Sequence, residues 1–555
     1  MPARILTPVM RTLLAIAAAL CWTAAGAAGS PIETALSEAG GHPPVGRAVA
    51  DEAGLLRGIY AQRGMRPLWS GQQGITAQAD ELVGILGSAD RYGLQSDDYA
   101  APSIRAARDR LTADARASPG SWAQFDVLLT AAAVRLVTHL HYGRIDPRSA
   151  GFELPALRSD LDVAATVASL ATAARVADAL AAIEPPFYHY ALLKEALARY
   201  RVLQSDAGLT DLPPPGRRAL HAGDPYAGAA ALRRLLTALG DLPAAPATAD
   251  PTRLDAALID GLKRFEQRHG QNPDGSLGPA VYAELTTPLA KRTRQIELTL
   301  ERWRWLPRFD RPPIIVNIPQ FDLFAFESTA DRAAAIITMK VIVGKAYPQT
   351  ETPVFTGEMR YVIFRPYWDV PRSIVLREML PAMRRDPGYL GRNHLEIVSG
   401  ETEDAAVQEP SAGSIDALAA GRLRVRQLPG EDNALGLVKF LFPNAHDVYL
   451  HSTPAHQLFL QPRRAFSHGC IRVGDPVVLA RYVLRNTPGI WDDAHILAAM
   501  HGPDSARVTL AASIPVMILY GTAQATEAGP ILFFDDIYGH DARLAALLAR
   551  GSAAP

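Results

Sequence analysis

Two cysteines occur in the 555-residue chain, Cys21 and Cys470, and the second lies among residues that could make it react. The segment Tyr449–Val473 reads YLHSTPAHQLFLQPRRAFSHGCIRV. A neutral thiol is a modest nucleophile and its thiolate a strong one, so a reactive cysteine needs a cation nearby, usually a protonated histidine. His451 and His468 both lie close to Cys470 in sequence. Gly469 lets the backbone approach a ligand closely. The turn Ser467-His468-Gly469-Cys470 can aim successive N–H groups at one point, as a developing oxyanion requires. Nucleophile, base and oxyanion donors could thus come from one strand–turn segment. A metal site is the competing chemistry, because His446, His451, His456 and His468 cluster with Asp447 and Cys470. However, His446, His451 and His456 are five apart, where helical zinc ligands prefer four, and the segment reads as strand and loop. We expect no metal and no organic cofactor.

These residues need a frame. Ile314–Ile318, Ile336–Val343, Tyr361–Phe364, Val448–Leu450, Val508–Leu510, Pro515–Leu519 and Ile531–Phe533 are β-branched or aromatic runs that predict strands. Val477–Arg485 predicts a helix. Residues 372–437 interrupt the β pattern with a helical stretch, Ser373–Arg385, and a small polar one, Ala405–Gly421. Such an insertion could cap a site. The expected catalytic domain spans 310–540, with a C-terminal tail at 541–555. Upstream, residues 51–205 show apolar residues at helical spacing in Phe125–Leu140 and Leu161–Ala182, which predicts a helical scaffold. Pro213-Pro214-Pro215-Gly216 breaks the chain. Residues 214–290 then predict three helices, Tyr226–Leu239, Asp255–His269 and Pro279–Leu285, the last with proline in its first turn. A connecting helix is expected within 291–309. The fold class is therefore α+β and multidomain: a helical scaffold, a small three-helix domain and a mostly-β catalytic domain with a capping insertion.

The N-terminus reads as an export signal over residues 1–28. Arg4 and Arg11 precede a short apolar run, Leu13 to Trp22, and Ala25-Gly26-Ala27 offers a small-x-small cleavage site. The run is short for a membrane span. Bulky Leu20 argues against lipidation of Cys21. Residues 29–50 read as a linker. Cleavage would leave Cys470 alone in an oxidising compartment, where it cannot pair within its own chain. The formal net charge of −1 argues against a nucleic-acid partner. Membrane contact is expected only through the N-terminal signal, if it stays uncleaved.

The segment His451-Ser452, then Ser467-His468-Gly469-Cys470-Ile471-Arg472, resembles the catalytic motif of the L,D-transpeptidases (YkuD type), including the nineteen positions between histidine and cysteine. Gly344-Lys345, Thr352-Pro353-Val354, Pro366 to Pro371, Asn433 to Gly436, Phe442-Pro443-Asn444, Leu55–Trp69 and Gly143-Arg144 to Pro147 resemble the large multidomain branch. Arg365 departs from that pattern, where asparagine is expected. Leu262, Phe265, Gln267, His269-Gly270, Asp274-Gly275, Gly278 and Leu285 are similar to a peptidoglycan-binding domain. The resemblance implies that Cys470 is the nucleophile and His451 a base in an ion pair with it. It implies that the Ser452 carbonyl orients the imidazole, and that the N–H groups of His468, Gly469 and Cys470 form an oxyanion hole. Arg472, Tyr449, Arg464 and Trp368 are the implied substrate-binding residues. The implied reaction joins peptidoglycan tetrapeptide stems, donor to acceptor, by 3-3 cross-links through a cysteine thioester, with release of D-Ala and sensitivity to carbapenems. The alternatives are an L,D-carboxypeptidase, which gives the acyl group to water, and a wall-binding scaffold without turnover. The implied location is the periplasm of a Gram-negative bacterium, with other wall-synthesis enzymes as possible partners.

Overall fold

The computed structural model describes residues 30–39, 52–71, 74–114, 116–154, 161–243, 251–329, 334–347, 350–400, 405–527 and 529–552. The expected signal, its cleavage site and Cys21 lie outside these residues. The chain forms two compact units. The first comprises Met1–Arg144, Asp160–Glu184 and Arg550–Pro555, and the second Ile145–Ser159 and Pro185–Ala549.

The first unit is helical and is built around Pro119–Tyr142. The Ser118 hydroxyl accepts from the Ser121 N–H to start this helix, and Gly143 ends it with a φ of 81°. It is long and apolar enough to cross a membrane, yet 83% of its apolar window is buried inside the protein. At its centre the Asp126 carboxylate accepts from the N–H groups of Leu68 and Trp69 and from the Tyr60 phenol. This network accounts for the tyrosine and tryptophan of the Leu55–Trp69 segment, both fully buried. Arg144 and Asp98 form a buried ion pair at 2.9 Å. Two expectations need correction. Residues 31–39, read as linker, form the helix Pro31–Ala39, whose Ile32 and Ala35 are buried in this unit's core. The stretch Leu161–Ala182 is two helices, Val163–Leu170 and Val176–Ala181, each too short to bury a face alone.

The second unit holds the three expected helices as Ala229–Leu239, Ala256–Arg268 and Pro279–Leu285. They share one core with Tyr188–Leu203, Leu289–Trp303 and a C-terminal hairpin, Ala523–Ala525 with Ile531–Phe533. Tyr188–Leu203, which the sequence reading assigned to the scaffold, therefore packs with this module. Leu289–Trp303 is more than a connector: Ile296 and Leu300 belong to the module core and Leu298 to the neighbouring sheet core.

That sheet has nine strands: β1 Ile314–Asn317, β2 Asp322–Phe326, β3 Ile336–Gly344, β4 Thr356–Phe364, β5 Val438–Leu441, β6 Leu450–His451, β7 Ala465–Ser467, β8 Ile471–Val473 and β9 Ala506–Leu519. Their order is β7-β3-β8-β6-β5-β4-β9-β1-β2, and β2 pairs back onto β3, so the sheet closes on itself. β9 is one bulged strand where two were expected, its register shifting between Thr509 and Ile514. The helix Pro476–Leu484 covers the core with Leu479 and Val483. Residues 541–552, expected as a tail, are not one. His540–Ser552 is a helix, and its Leu544 and Leu548 are buried in the sheet core.

The insertion is a small subdomain. Trp368–Asp369, Arg424–Gln427, Leu395–Ser399 and Ala406–Gln408 form a four-stranded antiparallel sheet in that order. Val375, Leu380, Leu418 and Val425 lie in its own core. Its first helix widens to a π-turn at Val375–Met379, just before Pro381. Proline lacks the N–H that would close a regular turn there.

Candidate active site

Strand alternation decides which side chains leave the core. Val438, Phe440, Leu450, Ile471 and Val473 point into it. Lys439, His451 and Arg472 therefore lie on the opposite face. Register sets them side by side: Lys439 opposes His451 across β5 and β6, and His451 opposes Arg472 across β6 and β8. Tyr449 and Cys470, two positions before His451 and Arg472, continue the same face.

The His451 ring is buried and its Nδ1 donates to the Ser452 carbonyl oxygen at 2.5 Å. That bond leaves Nε2 as the ring's basic nitrogen. Ser452 is fixed in turn by its own N–H, which donates to the Val438 carbonyl oxygen at 2.9 Å. Gly436, at φ 60°, passes so close that a Cβ there would lie 2.6 Å from the Ser452 hydroxyl. The Asn433 amide, buried, donates to the carbonyl oxygens of Pro366 and Leu428. The Asn433–Gly436 motif is thus the seat of the histidine's carbonyl anchor.

Cys470 is half-buried just before β8, and its thiol donates to the Asp447 carbonyl oxygen at 3.6 Å. Asn444 shapes the turn that presents Asp447, accepting from the N–H groups of His446 and Val448. The Tyr449 phenol faces both the thiol and the Trp368 indole of the insertion. Burial, then the adjacent Cys470, pushes this phenol well above its ordinary range, so it remains a proton donor. Lys439 Nζ lies 3.8 Å from the Tyr449 ring centroid.

Electrostatics bears on the ion pair that the resemblance implies. Burial, then Arg472 and Lys439, pushes the His451 imidazole down to about 3, against the pull of the Ser452 carbonyl. Burial pushes the Cys470 thiol up, only partly offset by Tyr449 and Lys439. Desolvation outweighs the hydrogen bonds and charges in both groups. Both shifts favour a neutral thiol beside a neutral imidazole over an ion pair.

The turn before the cysteine also differs from expectation. The Gly469 N–H donates to the Ser467 hydroxyl at 3.1 Å and is already used. Among the described residues, none accepts from the N–H of His468 or Cys470, which leaves these two amides open to another acceptor. Gly469 has φ 121°, a conformation that favours glycine. Its carbonyl accepts from the Thr352 hydroxyl at 2.7 Å, and that hydroxyl accepts from the Gly344 N–H at 2.9 Å. The Tyr538 phenol donates to the Gly344 carbonyl at 2.6 Å and accepts from the Thr352 N–H at 3.2 Å. The His468 ring is engaged elsewhere: its Nε2 meets Glu378, on the insertion's π-turn, at 2.9 Å. His468 thus contributes backbone to the site and its side chain to the insertion.

Arg472 is half-buried, and its Nε has no hydrogen-bond partner among the described residues. Arg464 is different. It is buried, and its guanidinium donates to the carbonyl oxygens of Val341 and Phe321. It clamps β7 to the barrel and is not a substrate ligand. His446 pairs with Glu153 at 3.1 Å, away from His451 and His468. Sequence reasoning missed Lys439, Glu378 and Tyr538 and gave Thr352 no role. A lone cation between the core residues Val438 and Phe440 was a signal for Lys439; Glu378 and Tyr538 left none.

Residues 312–490 match the L,D-transpeptidase catalytic domain. Residues 54–197 match a scaffold domain. A Haemophilus influenzae protein provisionally named an L,D-transpeptidase is 30% identical over 252 residues, covering 45% of this chain and 49% of that protein. The match thus spans about half the length of that relative. The row Lys439–His451–Arg472, the Cys470 turn and the insertion all lie inside the matched residues 312–490.

Proposed function

We propose that this protein is an L,D-transpeptidase acting on peptidoglycan stem peptides in the periplasm, with Cys470 as its nucleophile. The observation that carries this reading is the shared face of Cys470, His451 and Arg472, beside the two unused amides of His468 and Cys470. The thiol attacks the carbonyl carbon of the third stem residue. Its proton goes to the neutral His451 imidazole as the carbon–sulfur bond forms. The amides of His468 and Cys470 hold the oxyanion, where removing one donor of this kind typically costs about 10²–10³ in rate. The carbon–nitrogen bond then breaks, His451 returns the proton to the leaving amine, and D-Ala departs. An amine on a neighbouring stem attacks the thioester, gives its proton to His451 and frees the thiol, which leaves a 3-3 cross-link. Arg472, charged and unpaired at Nε, would receive a substrate carboxylate. Trp368 and Tyr449 line the approach. A neutral imidazole suits this sequence, because the base must be unprotonated before attack.

Acylation by a carbapenem, read by intact-protein mass, tests the nucleophile. Wild type should gain one adduct and Cys470→Ala none; an adduct retained in Cys470→Ala would overturn the assignment. Muropeptide profiles test the acceptor: 3-3 dimers support transfer, and tripeptide monomers alone would make the protein a carboxypeptidase.

A further inference from the structure

The two open amides beside Cys470 are each aimed through the carbonyl of their own peptide unit. A trans peptide is planar, so a bond that fixes its C=O also fixes the direction of its N–H. The His468 N–H shares a peptide with the Ser467 carbonyl, which accepts from the Lys345 N–H at 3.0 Å. The Cys470 N–H shares one with the Gly469 carbonyl, which accepts from the Thr352 hydroxyl. Both bonds therefore come from the end of β3 and the turn that follows it. Ser467 also pairs with Gly344 in the β7–β3 register.

These two holds meet at Tyr538. Its phenol donates to the Gly344 carbonyl, in the same peptide as the Lys345 N–H, and accepts from the Thr352 N–H. On the first side the bonds run in series, from the phenol through the 344–345 peptide and the 467–468 peptide to the His468 amide. Each bond in such a series polarises the next and strengthens its donor. Glycine is needed at 344 for this approach, since a Cβ there would lie 2.7 Å from the Thr352 nitrogen.

Tyr538 is itself set from behind. Its N–H donates to the Tyr520 phenol at 2.9 Å, and that phenol donates to Asp536 at 2.7 Å. The other Asp536 oxygen accepts from the N–H groups of Asp541 and Ala542, at the start of the C-terminal helix. Each phenol gives its one proton, which fixes the direction of bonding. Burial pushes the Tyr538 phenol up to about 12, so the proton stays in place at neutral pH. All these residues belong to the second unit. Tyr520, Asp536 and Tyr538 lie beyond the family match, which ends at residue 490.

We propose that Tyr538 is a positioning residue for acyl transfer, its phenol locking together the two segments that aim the His468 and Cys470 amides. The proposal rests on the reading of Cys470 as nucleophile.

The test uses the full chain and two probes of Cys470, a carbapenem and iodoacetamide. Acylation builds an oxyanion; alkylation does not. Tyr538→Phe should slow acylation at saturating carbapenem by about tenfold, because the amides remain and are less well aimed, where losing a donor outright typically costs about 10²–10³. The carbapenem concentration for half-maximal rate should hold. Alkylation at the same pH should match wild type, which a general loosening of the fold would not allow. Tyr520→Phe should slow acylation less, and should add nothing to Tyr538→Phe. Unchanged acylation in Tyr538→Phe, alkylation slowed in parallel with acylation, or additive effects of the two variants would overturn the proposal. A wild type that takes no carbapenem on Cys470 sinks both readings; a wild type acylated no faster than Tyr538→Phe sinks this one alone.

Discussion

The Thr352 hydroxyl donates to the Gly469 carbonyl at 2.7 Å while accepting from the Gly344 N–H, and so holds the cysteine's turn against the end of β3. Thr352 is 1% exposed, so valine fits its space but strands both partners. Thr352→Val should cost roughly 1–3 kcal/mol for the buried N–H left unpaired. It should also slow acylation of Cys470 by more than the stability loss explains, because the turn that aims the amides is released. Thr352→Ser should recover both. Melting temperature and single-turnover acylation, measured side by side, check this; acylation unchanged in the valine variant would count against a positioning role.

The neutral thiol–imidazole pair has a kinetic signature. Alkylation of Cys470 by iodoacetamide should rise steadily with pH to above the ordinary thiol value of about 8.5, with no plateau in the histidine range. A plateau of reactivity below about pH 7 would reveal a thiolate–imidazolium pair and refute the assignment.

Lys439 lies against the Tyr449 ring and, with the Tyr449 hydrogen bonds, partly offsets the upward push of burial on the Cys470 thiol. Lys439→Met should move the alkylation profile of Cys470 to higher pH and slow acylation severalfold. Lys439→Arg should restore most of both. An unmoved profile in Lys439→Met would reduce the lysine to packing.

His540 begins the C-terminal helix, with its ring against Phe152 and Tyr520. Burial, then Arg302, pushes it down to about 4. Its folded value lies below its unfolded one, so the unfolded chain binds the extra proton between about pH 6.5 and 4. The stability that His540 contributes is present above that window and lost as pH falls through it. His540→Phe keeps a ring and removes the titration. The variant's melting temperature should gain on wild type as pH drops from about 6.5 to 4. A gap that stays constant with pH would show that the imidazole does not titrate in this way.

The proposed nucleophile and base are legible in the sequence because both are encoded locally. Cys470 and His451 come with their turn residues and anchoring carbonyl in one segment, and strand runs such as Ile336–Val343 are visible as composition. Partners set by register or by distant loops were not legible. Lys439 reaches the site only because β5 runs antiparallel to β6 with residue 439 opposite 451. Arg464 looked like a ligand, since nothing near it in sequence shows that the carbonyls of Phe321 and Val341 will capture its guanidinium. The helix Pro31–Ala39 was hidden by its small, polar surroundings, and His540–Ser552 by its position after the last strand. Nothing in the sequence sets the Gly469 amide apart from its neighbours, because only the folded turn shows the Ser467 hydroxyl accepting from it.

The strands that carry His451 and Cys470 run parallel, so the segment joining them must leave the sheet and return. What the chemistry depends on is which residues stand abreast on β6 and β8; the distance travelled between them is free. Chains of this kind could lengthen the exposed excursion around Pro462 at small entropic cost and keep the same catalyst, since doubling a loop costs about 0.6 kcal/mol. A slip of one residue in β8 would turn the thiol inward and an isoleucine outward, and no change of loop could repair it.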